Sequence, residues 1–302
     1  MASRQNPLLL SILGGVLSAS PYFLASSPTL WGMLLTYFST LPLFAVGLSL
    51  GLNAAIIAAG VGVGCSFLAA LMMGSFGLLL PYILFNILPT LLILFQVLKA
   101  YADEAGEIHV LPAEYITRFL TWMAVGIVAI ACILLRMMSE NPSSLIETAL
   151  GQQPPETLML LSHLIKILPG LVGASWLMMI LSNAILAQGL LKAFNQNLRP
   201  SPDIADVYPF PVFYYLLAGA GVCSILPLGW ISTVTSNLLF PLMIPFLLTG
   251  LGTIHVIARK SPYRSWILGG FYALAFVLSW PFLFLIMVGI IEPWVKLRNR
   301  VN

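Results

Sequence analysis

The chain has 302 residues, of which 60% are hydrophobic and only 8% are charged, and its formal net charge is +3. Because an ordinary soluble domain has about 25% charged residues, so few charges could not cover the surface of a water-soluble protein of this length. The composition excludes a soluble globular domain, and the small positive charge, without a basic patch interleaved with aromatic residues, excludes a nucleic-acid partner.

The apolar residues form long runs without the alternation that marks strands, so helices rather than a barrel satisfy the backbone in lipid. A helix needs about 20 apolar residues to cross a bilayer. The sequence therefore predicts an all-α fold, a polytopic transmembrane helical bundle of eight to nine membrane segments that forms a single integral membrane domain over residues 1–302. The predicted segments, in chain order, are Pro7–Leu24, Trp31–Leu50, Asn53–Met73, Phe76–Leu98, Phe119–Met138, Thr157–Leu191, Phe210–Leu226, Val234–Ala258 and Trp266–Ile291.

The apolar stretch Thr233–Lys260 is the most clearly bounded of these spans, because Arg259 and Lys260 close it. Basic residues at span ends favour the cytoplasmic side of a membrane, which predicts an inward-facing end here. If Arg4 is also cytoplasmic, alternation of the spans places three loops on the same side, namely Lys99–Arg118, Lys192–Pro209 and Arg259–Arg264.

The last apolar segment decides the number of crossings. A continuous helix over Trp266–Ile291 with a proline kink gives nine crossings and exports the basic tail. A break at Trp280-Pro281 into two half-helices gives eight crossings plus a hairpin, which returns the tail to the cytoplasm. Such backbone breaks are tolerated only where they are buried in protein. We favour the continuous helix, because a kinked helix of this length is the commoner arrangement.

Charged side chains within spans are costly in lipid and are therefore candidates for function. His163 and Lys166 are three residues apart and share one helix face. Arg136 lies at the same membrane side if the two spans are antiparallel neighbours, and the three residues would then form a cationic vestibule for an anionic solute or a lipid headgroup. The alternative is that Arg136 and Lys166 snorkel to the interface beside acidic residues of the adjoining loop.

Carboxamides within the spans form a second candidate set, which comprises Asn86, Gln96, Asn183, Gln188 and Asn237. They suit a pocket for an uncharged or zwitterionic solute, and they equally suit hydrogen bonds between neighbouring helices. His255 lies about one helical turn before Arg259, which favours a capping or interfacial role over metal ligation. The predicted ligand-binding residues are Asn86, His163, Lys166, Asn183 and His255.

Enzyme signatures are missing from the sequence, which has no HExxH, GxSxG or Walker A motif and no paired acids in a span. Cys65, Cys132 and Cys223 each lie inside an apolar span without CxxC spacing, which indicates buried free thiols rather than disulfides or a zinc site. The sequence predicts a protein that is not an enzyme and that has no metal and no cofactor. Any ATP-driven work would need a partner subunit.

Two stretches near the C-terminus, GLGTIHVIARK (250–260) and GIIEPWVKLRNR (289–300), resemble the YybS-like family of predicted polytopic membrane proteins, a domain-of-unknown-function family. In that family a Gly-Leu helix end with a His or Tyr precedes a basic turn, and the last span closes with a glycine, an acid, an aromatic residue and an Arg-rich tail. Here the acid is Glu292 and the tail bases are Arg298 and Arg300. The stretch Leu41–Gly62 resembles the family's second-to-third span junction.

The resemblance implies a bacterial inner-membrane protein similar to the substrate-binding components of energy-coupling-factor vitamin transporters. Those components bind a small solute inside a helical bundle and associate with a coupling protein and ATPases. The expected function is transport-related binding of a small solute or lipid within the bundle, with membrane lipid and an ATPase or coupling module as partners. The alternative is a non-transporting membrane scaffold in envelope or division complexes. A pocket predicts that Asn86, Asn183 and His163 converge on one cavity, and a scaffold predicts that they are dispersed.

Overall fold

The structure is a computed structural model that describes residues 6–25, 30–102, 108–110, 112–138, 146–148, 151, 154–278 and 280–300. Helices dominate these residues, as the sequence predicts, and a short antiparallel pair of strands, β1 (Ala100–Ala102) and β2 (Ile108–Val110), interrupts them. Arg4, on which the predicted orientation partly depends, lies outside the described residues. The chain forms two compact units.

Unit 1 comprises Met1–Pro112 and Met178–Pro202, the latter including the end of a long helix that begins in unit 2. A π-helical turn at Ile83–Ile87 joins its last two short helices. The helices of its first part are α1 (Pro7–Ala25), α2 (Leu30–Thr36), α3 (Leu41–Leu50), α4 (Leu52–Met73), α5 (Leu79–Tyr82) and α6 (Leu88–Val97).

Small residues bring the first helices of unit 1 close together. A Cβ atom at Gly15 would overlap the carbonyl oxygen of Ala58, so α1 and α4 pack with their backbones in contact. Gly51 has a φ of 93°, a left-handed conformation that favours glycine, and forms the tight turn between α3 and α4. The buried core of this region includes Leu43 and Tyr82.

Unit 2 comprises Ala113–Leu177 and Asp203–Asn302. A 3₁₀ turn at Ile204–Asp206 precedes its C-terminal helices. Its helices are α7 (Ala113–Met138), the first part of α8 (Pro155–Ala193), α9 (Pro211–Ile225), α10 (Trp230–Arg259), α11 (Arg264–Val277), α12 (Trp280–Val295) and α13 (Leu297–Arg300).

Helix α10 is the centre of unit 2, in keeping with the clear span that the sequence predicts there. It is the most buried of the long apolar helices. A Cβ atom at Gly250 would overlap the carbonyl oxygen of Leu285, and one at Gly289 would overlap that of Phe246. Helices α10 and α12 therefore contact each other through their backbones, an arrangement that only small residues allow.

Five described helices are long and apolar enough to cross a membrane, namely Leu52–Met73, Leu79–Val97, Glu114–Met138, Pro155–Ala193 and Trp230–Arg259. The bent pair α11–α12 makes six if it counts as one span. These helices indicate a multi-pass membrane protein. The predicted number of eight to nine membrane segments is wrong for the described residues by this measure of length and composition.

Two breaks and two short helices account for the difference, and the first of the short helices is the expected span Pro7–Leu24, of which only Pro7–Tyr22 counts as an apolar helix. The expected span Trp31–Leu50 is divided at Tyr37–Thr40. After this turn α3 begins as a separate helix with Pro42 in its first turn, where a proline costs no hydrogen bond. The expected continuous helix Trp266–Ile291 is also wrong, since α11 ends at Val277 and α12 restarts with Pro281 in its first turn, and the two helical axes are bent by 118°. Helix α9 has only 15 residues.

Candidate functional site

The break between α2 and α3 is where polar side chains of unit 1 converge. Ser39 and Thr40, the last two residues of the turn Tyr37–Thr40, are fully buried. A turn inside an apolar bundle leaves backbone groups without helical partners, and side chains of neighbouring helices must pair with them. Two of the predicted binding residues, Asn86 and Asn183, lie at this turn.

Asn86 lies on the π-helical turn Ile83–Ile87 and is only 2% exposed. The π turn has a local cause: Pro89 has no N–H to donate to the carbonyl of Phe85, and the N–H of Leu88 bonds Ile83 five residues back. Ser39 Oγ donates to Asn86 Oδ1 at 2.7 Å, so the wide turn directs the carboxamide to the α2–α3 break. Single π turns inside α-helices occur frequently at functional sites.

Two tyrosines extend the polar cluster around Asn86. Asn86 Nδ2 donates to the hydroxyl of Tyr22, whose ring packs edge-on against the ring of Tyr82 at a centroid distance of 4.8 Å. The Tyr82 hydroxyl pairs with Ser18 Oγ at 2.8 Å. These hydroxyls could not be predicted as part of a site, because nothing in the hydropathy pattern relates α1 to the π turn.

Asn183 reaches the same α2–α3 turn from α8. Its Nδ2 donates to the carbonyl oxygen of Tyr37 at 2.5 Å and to that of Met179 at 2.8 Å. The side chain is 2% exposed, and its Oδ1 has no hydrogen-bond partner among the described residues. The amide nitrogen of this carboxamide therefore holds the turn, and its oxygen is a buried acceptor without a partner among the described residues.

Two further polar atoms without partners lie in this unit, one in the turn and one on α6. Thr40 Oγ1 and Thr90 Oγ1 are buried and have no hydrogen-bond partner within the described part of the chain. Thr90 lies four residues after Asn86, on the same helix face. An unpaired buried polar group costs about 1–3 kcal/mol, and native proteins leave few of them. Two of the unpaired atoms, on Thr40 in the turn and on Asn183 bonded to it, lie at the α2–α3 turn, and the third lies on α6.

His163 and Lys166 belong to unit 2 and are exposed on α8. His163 Nδ1 lies 2.8 Å from the carbonyl oxygen of Met159 on its own helix. The Lys166 carbonyl accepts a hydrogen bond of 2.7 Å from Asn237 Nδ2, and the N–H of Gly170 donates to Asn237 Oδ1 at 2.7 Å. Asn237 thus takes the place of the helical hydrogen bond from the Gly170 N–H to the Lys166 carbonyl, and it joins α10 to α8.

His255 is half-buried on α10, also in unit 2. Its Nδ1 lies 2.9 Å from the carbonyl oxygen of Leu251, and its Nε2 lies 3.3 Å from the hydroxyl of Tyr272. Beyond it, Arg259 forms a two-pronged ion pair with Asp203, with both N–O distances at 2.6 Å. This ion pair holds the pKa of Asp203 down at about 2, chiefly through the hydrogen bonds from Arg259.

Unit 2 contains a buried ionic network that the sequence did not predict. Arg298 is 4% exposed and lies 3.8 Å from the carboxylate of Glu292. Its guanidinium donates to Thr253 Oγ1 at 3.0 Å and to the carbonyl of Thr249 at 2.6 Å, and also to the carbonyl of Ala205. The two C-terminal stretches that carry the family resemblance therefore pack against each other, and this network stabilises the fold.

No group of three His, Cys, Asp or Glu residues in the described ranges is placed to hold a metal ion. Comparison with known proteins finds no matching family model, no matching curated protein and no matching solved structure. Only the placement of residues in the structure therefore bears on function. It brings Asn86 and Asn183 together at one turn, and it places His163, Lys166 and His255 in the other unit.

Proposed function

We propose that this protein is a membrane-embedded binding component of a transport system, which binds a small uncharged or zwitterionic solute, or a lipid headgroup, in unit 1. The observation that carries the proposal is a set of three unpaired buried polar atoms in unit 1. They belong to Thr40 in the α2–α3 turn, to Asn183, which bonds that turn, and to Thr90 on α6. Hydroxyls and a carboxamide oxygen recognise hydrogen-bonding groups without demanding a charge. A ligand that pairs with them would recover the free energy that their burial costs.

The proposed position in a transport system rests on the resemblance to the YybS-like family, whose membership we also propose. The binding component would associate with a coupling protein and ATPases in a bacterial inner membrane. The proposed alternative, a membrane scaffold, is favoured by the location of His163 and Lys166, which are exposed on α8 in unit 2 rather than placed at the polar turn.

Native mass spectrometry of the tagged protein, purified from its own membrane in mild detergent, tests this function. We expect a small molecule retained at about one copy per chain, or an ATPase module that copurifies in fixed stoichiometry. A protein that carries neither ligand nor ATPase would contradict the transport proposal. Copurification with envelope-assembly proteins alone would favour the scaffold.

A further inference from the structure

One cation of unit 2 is not part of the networks described above. Arg118 lies four residues after the start of the apolar span Glu114–Met138, about 6 Å along the helix, and therefore near the membrane boundary. Its side chain is half-buried, and it forms no hydrogen bond or ion pair with any described residue, Glu114 one turn earlier included. The guanidinium groups of Arg259 and Arg298, by contrast, both have hydrogen-bond acceptors.

Two aromatic rings hold the guanidinium of Arg118 in place. Its central carbon lies 4.0 Å from the centre of the Phe210 ring and 4.7 Å from that of the Tyr115 ring. The two rings pack against each other edge to face, at an angle of 75°. Contacts of this kind attract the positive charge and leave the five N–H groups of the guanidinium for an acceptor. Arg118 is therefore positioned without being paired.

The face of α7 that carries Arg118 continues into the membrane as an exposed apolar surface. The residues that share this face by helical periodicity are Tyr115, Arg118, Trp122, Gly126 and Ile133. Tyr115, Trp122 and Ile133 are exposed, and a Cβ atom at Gly126 would meet no atom within 4 Å. The surface therefore has open space beside Trp122, on the membrane side of Arg118.

The dimensions of this surface match those of one lipid. From Trp122 to Ile133 the helix rises about 16 Å, close to half of the roughly 30 Å hydrocarbon core of a bilayer. Arg118 lies one turn before Trp122, on the headgroup side, where tyrosine and tryptophan are also common. An acyl chain that lies along this surface would therefore bring its phosphate to Arg118.

We propose that Arg118 binds the phosphate of an anionic phospholipid, whose acyl chain lies along Trp122, Gly126 and Ile133. A planar guanidinium bonds two phosphate oxygens at once, and the two rings orient it before the lipid arrives. A zwitterionic lipid would bring a second cation towards Arg118, which favours a headgroup of net negative charge. The site lies in unit 2 and does not depend on the polar cluster of unit 1, so either proposal can fail without the other.

The test uses the full chain in detergent, with phosphatidylglycerol and phosphatidylcholine added in equal amounts, and counts lipid adducts in native mass spectra. We expect phosphatidylglycerol adducts to predominate on the wild type, and Arg118→Gln to reduce them about fivefold. The matched control is Arg264→Gln, which removes an exposed arginine of unit 2 at the start of α11 and should leave the adducts unchanged. Thermal unfolding of both variants checks that they are folded.

Three results would overturn the proposal, and the first and third need only the wild-type protein. Equal retention of the two lipids would show that the site has no preference for an anion. An equal effect of the Arg118 and Arg264 substitutions would show that the attraction is general and not due to the site at Arg118. Displacement of phosphatidylglycerol by inorganic phosphate alone would assign the site to a free anion instead of a lipid.

Discussion

Arg298 and Glu292 hold opposite charges inside unit 2, where neither is solvated. The Glu292 carboxylate also accepts hydrogen bonds of 3.1 Å from the backbone N–H groups of Leu297 and Arg298. Removal of one partner of a buried ion pair leaves an uncompensated charge, which typically costs about 3–5 kcal/mol. Replacement of one partner alone is therefore strongly destabilising.

We predict that Arg298→Met lowers the thermal unfolding temperature of the purified protein markedly. Arg300→Met is the matched control, because Arg300 is an exposed arginine of the same short helix. The double variant Glu292→Gln with Arg298→Met should recover part of the loss, since it removes both charges. Equal unfolding temperatures for the Arg298 and Arg300 variants would contradict the stabilising role.

The ion pair between Asp203 and Arg259 differs in kind, because it is partly exposed. Its contribution to stability is present above the ordinary Asp pKa of 3.8 and is lost as the pH falls through the lowered pKa of about 2. Exposed pairs contribute about 0–1 kcal/mol. Asp203→Asn keeps the oxygen that accepts from the N–H of Ala205, so we expect little change at neutral pH.

The expected difference between wild type and Asp203→Asn lies in the acid range. The wild type should unfold at progressively lower temperature as the pH falls from 3.8 to about 2. The Asp203→Asn variant should lack the part of this decrease that comes from the ion pair. Parallel acid dependence in both proteins would show that the ion pair does not form.

At the scale of helices, the contact between α10 and α12 depends on Gly250 and Gly289. We predict that Gly289→Ala destabilises the protein by about 1–3 kcal/mol, because its methyl group would overlap the Phe246 carbonyl. The control is Gly269→Ala on α11, where a Cβ meets no atom within 4 Å, and where alanine should be neutral or stabilising. Denaturation of the two variants side by side measures the difference, and equal stability would contradict the close packing of α10 and α12.

The sequence predicted helices well and their breaks poorly. The bounds of α4 and α10 follow from continuous apolar runs that end at glycine or at basic residues. The division at Tyr37–Thr40 was not visible, since the residues around Pro42 are apolar and hydropathy does not distinguish a kink from a new helix. At Trp280-Pro281 the sequence allows a break, but a kinked continuous helix is the commoner arrangement, and the structure has the break instead.

The candidate residues show a similar limit. Asn86 and Asn183 could be chosen because a carboxamide in an apolar span is unusual, and both lie at the polar turn. The sequence could not pair Arg298 with Glu292. Lys296, which lies between them, has a φ of 51° and interrupts the helix, so helical spacing does not predict which side chains meet. Threonines such as Thr90 carry no signal, since a threonine in a helix ordinarily bonds its own backbone.

For the whole molecule, contacts within unit 2 bear on the side of the membrane at which the chain ends. Asp203 binds Arg259 at the end of α10, and Ala205, two residues later, binds Arg298 near the C-terminus. The tail and the basic turn after Arg259 therefore lie at the same end of unit 2. This arrangement fits the bent pair α11–α12 and does not fit a tail exported by a ninth crossing.

We predict that a reporter fused after Asn302 and a reporter inserted at Ser261–Pro262 respond alike, both from the cytoplasm. Basic residues near both positions favour that side. Alkaline phosphatase and fluorescent protein fusions distinguish the two compartments. Opposite responses from the two positions would contradict the bent pair.

Thr90→Val, on α6, tests the proposal that the polar cluster of unit 1 binds a ligand. Valine keeps the shape of threonine and removes only the unpaired hydroxyl. The measurement is the amount of small molecule released on denaturation of protein purified from its own membrane, compared with wild type.

The control is Thr121→Val in unit 2, which alters a buried threonine whose hydroxyl bonds the Thr117 carbonyl. We predict that Thr90→Val retains clearly less ligand while the protein unfolds at the same or a higher temperature, and that the control retains as much as wild type. Equal retention in all three proteins would contradict the claim.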